Sequence, residues 1–196
     1  MFEFYILILT IFLKIYSFYY YIFFRNFLDK YKLLGNYIFF VPFTRYTDLS
    51  MFLSLIWSYN SYYYTVCPVL TCSTWCIQCN ASIAYWVLKK NIVSKEINSD
   101  TFLYKFSEFM CHGGILLLMI FDLNKYKFEF INVTYPIYLS IIWLFFIILP
   151  WYYFTGDSVY PFLDKKESLI SKFLIFFNIL IINITSAYVG FYLSNY

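Results

Sequence analysis

One residue in this chain suits proton transfer near neutral pH: His112, the only histidine among 196 residues. It sits in Phe109-Met110-Cys111-His112-Gly113-Gly114, followed by the apolar run Ile115 to Phe121 and then Asp122. The segment is long and apolar enough to cross a bilayer, and an ionisable side chain at that depth costs a few kcal/mol unless it is paired or faces water. A histidine can draw the proton from a hydroxyl and turn a weak nucleophile into an effective one. Two hydroxyls compete for that role in Phe43-Thr44-Arg45-Tyr46-Thr47-Asp48. Two acids could orient the ring. Glu108, four residues before His112, lies one turn away on the same helical face, and Asp48, four residues after Thr44, could approach from a neighbouring helix. Asp122, ten residues beyond His112, is too far along one helix to touch it.

Each feature also has a structural explanation. A lone intramembrane histidine can join helices by hydrogen bonds. Thr44 can serve as an N-cap, and Arg45 and Asp48 can anchor a helix at the membrane surface. Cys72, Cys76 and Cys79 share a helix face, but no second Cys pair or nearby histidine accompanies Cys76-x-x-Cys79, so they read as small packing residues and no metal site is expected.

Composition says what must position these groups. The chain is 62% hydrophobic, 27% aromatic and 13% charged, with a mean hydropathy of +0.66. Soluble domains carry roughly a quarter charged residues, so an integral membrane protein is expected. Phe, Tyr, Ile, Asn and Lys are abundant, as an AT-rich coding bias would produce. The net charge of +3 lies between hydrophobic runs and forms no patch, which argues against a nucleic-acid partner.

Six transmembrane helices are predicted, at about 4–24, 42–65, 69–88, 104–123, 135–154 and 169–193, joined by short loops in a single all-α domain. The first has Glu3 in place of a basic n-region and no small-residue cleavage site after it, so it reads as an uncleaved span. Pro42 suits the first turn of the second. Gln78 and Asn80 are buried polar candidates in the third. The longest hydrophilic stretch, Lys89 to Asp100, leaves no room for a soluble catalytic domain. Arg25, Lys30, Lys32, Lys89, Lys90, Lys95, Lys165, Lys166 and Lys172 fall in or beside the odd-numbered loops, against Lys125 and Lys127 opposite, so the odd loops are expected to be cytoplasmic. Asn132-Val133-Thr134 then faces the lumen as a glycosylation acceptor, while the same pattern at Asn80 and Asn183 falls inside helices. Thr44 and His112, the latter about eight residues or roughly 12 Å into its helix, share the cytoplasmic half of the bilayer. Thr155-Gly156-Asp157-Ser158-Val159-Tyr160-Pro161-Phe162-Leu163 opens on the same side.

Three elements resemble a known family: His112 with an acid ten residues on, the loop around Tyr160, Pro161 and Phe162, and Phe43-Thr44-Arg45-Tyr46-Thr47. The chain is similar, in helix count and motif order, to the androgen-induced and androgen-dependent TFPI-regulating proteins. The resemblance implies a six-helix membrane hydrolase that cleaves fatty acid esters of hydroxy fatty acids and needs no cofactor. Thr44 would be the nucleophile and His112 its base. Thr47 is the rival nucleophile, since sliding the motif by three residues keeps an aromatic before it and an acid after it. A second histidine of some members corresponds to Phe109 here. The implied protein is multi-pass, in an endomembrane or the plasma membrane, with lipid as its substrate. The other function class compatible with the residues is a non-enzymatic polytopic protein: a small transporter, channel or scaffold.

Overall fold

A buried polar helix forms the centre of the bundle. The computed structural model describes residues 2–23, 45–64, 67–92, 102–122, 128–155 and 168–195, and every regular element among them is helical. We label these α1 (Phe2–Phe23), α2 (Tyr46–Tyr63), α3 (Pro68–Ile92), α4 (102–122), α5 (Thr134–Thr155, after a 3-10 turn Phe130–Val133) and α6 (Leu169–Asn195). The all-α expectation and the number of helices agree with the sequence. α5 and α6 are each long and apolar enough to cross a membrane, by length and composition.

α3 packs against α2, α4, α5 and α6, and its residues from Thr71 to Ser82 are all buried. A helix enclosed on every side is usually apolar all round. This one carries Thr71, Ser73, Thr74, Gln78, Asn80 and Ser82 there, with Cys72, Cys76 and Cys79 between them. The small side chains let neighbouring backbones approach closely. The two threonine hydroxyls bond back along the chain, Thr71 to the Cys67 carbonyl at 3.0 Å and Thr74 to the Leu70 carbonyl at 2.8 Å. Gln78 and Asn80 are fully buried, as expected.

Successive helices run antiparallel. Phe4 meets Tyr62 and Lys14 meets Asp48 between α1 and α2. Trp57 donates to Thr71 at 3.0 Å between α2 and α3, and Tyr85 meets Glu108 between α3 and α4. The core of Leu13, Met51, Trp57, Trp75, Ile115 and Met119 draws on all four, and Ala187 adds α6. Outward faces carry large apolar side chains, among them Phe146, Tyr153, Phe173 and Phe177, while polar side chains are enclosed beside the apolar core.

Two boundaries differ from the sequence expectation in ways that bear on the site. Arg45, with extended backbone, is the N-cap of α2, so the described helix begins at Tyr46; residues 42–44, where its start was expected, lie outside the described residues. α4 is not one uniform α-helix: a π-turn, Met110–Gly114, interrupts it between Phe102–Phe109 and Ile115–Asp122. Gly114 suits that turn because Met110 lies directly over it. A Cβ there would stand 2.3 Å from the Met110 Sδ.

Candidate functional site

The π-turn carries His112 ten residues into α4, about 15 Å along its axis. π-turns within α-helices are frequent at functional sites because they re-aim side chains and disturb the ordinary ladder of backbone bonds. Here the His112 carbonyl accepts a hydrogen bond from the Trp86 indole at 3.2 Å. The half-buried imidazole lies flat against the ring of Tyr85, with centroids 3.6 Å apart and planes 3° from parallel. The Tyr85 hydroxyl donates to Glu108 Oε2 at 2.8 Å. Tyr85 therefore links the acid to the histidine, stacking on one and bonding to the other. The widened turn between positions 108 and 112 also changes the spacing on which a direct four-residue contact was expected.

Asp48 is placed in another role. Its carboxylate is 1% exposed and held on both oxygens, by Lys14 Nζ at 3.0 Å and by Arg45 through Nε at 2.9 Å and Nη2 at 3.2 Å. Lys14 lies nine residues before the end of α1, about 13 Å along its axis, so this ionic group is set well inside the end of the first helix. The first turn of α2 then divides two environments. Asp48 faces α1, whereas Tyr46, two residues earlier, faces α5 and stacks edge-on against Trp143. Cys111, next to His112 in the π-turn, packs against the core cluster that contains Leu13 of α1 and Met51 of α2.

Thr47 is half-buried in the first turn of α2, and its carbonyl accepts the Ser50 hydroxyl at 2.7 Å. Its position at the start of a helix would favour developing negative charge through the free N–H groups and dipole. Thr44, Tyr160, Pro161 and Phe162 lie outside the described residues. Lys14, Tyr85 and Trp86 were not singled out in the sequence. With 23 tyrosines and 25 phenylalanines in the chain, one aromatic carries little signal.

On the other side of α2 lies a neutral network. The Ser140 hydroxyl donates to the Pro136 carbonyl at 2.9 Å, so it accepts from Tyr46 at 2.8 Å and from Asn183 Nδ2 at 2.8 Å. Asn80 Nδ2 donates to Asn183 Oδ1 at 3.1 Å and to the Ile179 carbonyl at 2.8 Å. Four helices are joined through Tyr46, Asn80, Ser140 and Asn183, and the two asparagines of the intrahelical glycosylation patterns are consumed in it. Asn132, the third acceptor pattern, is 3% exposed in the 3-10 turn before α5.

Cys72, Cys76 and Cys79 are buried free thiols in α3. Among the described residues no group of three His, Cys, Asp or Glu side chains could hold a metal ion. Comparison with protein-family models, with curated proteins and with solved structures finds no match for this chain.

Proposed function

We propose that this chain is a multi-pass membrane hydrolase that cleaves lipid esters, with fatty acid esters of hydroxy fatty acids as its substrates. Six spans enclose the polar residues and present apolar ones to lipid, with the odd-numbered loops cytoplasmic. The inverted surface supports this: exposed Phe146, Tyr153 and Phe173 would be a liability in water and suit a hydrocarbon solvent.

The observation that carries the reading is the Tyr85 clamp. An imidazole stacked flat on a ring whose hydroxyl holds a carboxylate is kept in one orientation, as a general base must be. Thr44 or Thr47 attacks the ester carbonyl as His112 takes its proton; the alcohol half leaves with that proton, and the acyl group stays on the threonine. Water then cleaves this ester. Fluorophosphonate labelling of membranes carrying the wild type, Thr44→Ala, Thr47→Ala or His112→Ala tests it. Labelling lost in His112→Ala and in one threonine variant supports the hydrolase and identifies the nucleophile, whereas an unlabelled, folded wild type refutes it.

The neutral network supports a second reading, a non-enzymatic transporter, channel or scaffold. Buried amides and hydroxyls that link α2, α3, α5 and α6 are what a bundle needs to hold its helices together or line a polar path. That reading predicts no threonine reactivity.

A further inference from the structure

Gln78, Ser82 and Tyr85 follow one another at spacings of four and three residues and so form one stripe along α3. The amide of Gln78 has a defined orientation, because its Nε2 donates to Ser54 Oγ at 2.7 Å and to the Ser50 carbonyl at 3.3 Å. Its Oε1 is consequently the end left over. That oxygen is buried and has no hydrogen-bond partner among the described residues, and the same is true of Ser82 Oγ. Gln78 is 0% exposed and Ser82 5%. Burying an oxygen without a donor forfeits the bonds it made to water.

Residues four apart on a helix have Cβ atoms about 5–6 Å apart, close enough for one water to bond to both side chains. Ser54 and Ser50 on α2 bound this place on one side. Ser50 leads back to the Thr47 carbonyl, and Ser82 leads one turn on to Tyr85 and the stacked His112. The stripe thus connects through Ser50 to the Thr47 backbone on one side and through Tyr85 to His112 on the other.

We propose that Gln78 Oε1 and Ser82 Oγ bind the water that hydrolyses the acyl-enzyme; this rests on the hydrolase reading above. The water oxygen bonds to the acyl carbon, the bond from that carbon to the threonine oxygen breaks, and one water proton passes through His112 to the threonine. The products are a free fatty acid and the regenerated hydroxyl. Gln78 and Ser82 act as positioning residues. They make the second step fast without taking part in the first.

The test compares the wild type, Gln78→Leu and Ser82→Ala in membranes, using an ester of a hydroxy fatty acid with a radiolabelled acyl chain. Expected is fluorophosphonate labelling at the wild-type rate, acid release slowed about tenfold, the equivalent of one hydrogen bond, and radiolabelled acyl-protein accumulating. Ser82→Ala removes an oxygen that the fold does not use, so it keeps the test decisive if Gln78→Leu fails to fold. Acid release at the wild-type rate with no acyl-protein overturns the water assignment and leaves the hydrolase standing. A wild type that neither labels nor releases acid overturns the hydrolase and the water's role with it.

Discussion

The first turn of α2 has two sides, and they are built differently. Toward α1 it presents Asp48 to Lys14 and Arg45, whose side chains are 18% and 24% exposed. Toward α5 it presents Tyr46 to Ser140 and Asn183, all enclosed. The ionic side keeps charge and partial access; the neutral side has hydrogen bonds and none. Charged groups in a bundle are tolerated where they are paired and reach water, and a residue positioned there can be used. The closed side is an association surface.

This contrast can be broken from either side. The largest stability effect is expected from Asp48→Ala, which leaves two cations without their carboxylate. Removing one partner of a buried pair costs about 3–5 kcal/mol, and the partial exposure of both cations puts this one at ~3 kcal/mol. Thermal unfolding in detergent measures it. His112→Gln should lower ester hydrolysis about 10²-fold or more while leaving the unfolding temperature close to that of the wild type, because the ring is only half-buried. A large loss of stability with unchanged hydrolysis would assign the ring to the fold instead.

Away from both sides of that turn, where α6 packs on α3, Gly190→Ala is expected to cost about 1–3 kcal/mol with no specific effect on chemistry. The added Cβ would stand 2.2 Å from the Phe128 ring and 2.7 Å from Trp75 Nε1, which itself donates to the Ser186 carbonyl. Tyr46→Phe is the mildest, about 0.5–1.5 kcal/mol for one hydrogen bond, with the edge-on contact to Trp143 retained. A loss of hydrolysis as deep as that of His112→Gln would join the two sides into a single site.

The helices themselves were legible in the sequence because apolar runs separated by charged loops leave few alternatives. Gln78 and Asn80 stood out in the same way, as amides in a run that could place them only inside. The interruption of α4 was written only faintly, in Gly113-Gly114, since the run after it, Ile115 to Phe121, is apolar all round and has no phase that a wider turn could visibly shift. Lys14 is a lone charge in the apolar run of α1. Its partner is 34 residues away on another helix, and no local pattern encodes such a pairing. Tyr85 was hidden by composition: a specific aromatic contact is invisible in a chain where aromatics occur everywhere. Glu108 was identified as an acid near His112, but its link to the ring runs through a third residue.

The Lys14 to Asp48 pair has a consequence for how the bundle comes together. Asp48 finds Arg45 within its own turn, whereas its bond to Lys14 reaches across 34 positions to another helix. That second bond exists only once α1 and α2 lie side by side. One carboxylate thus works as a latch, closed by the docking of the first helix against the second.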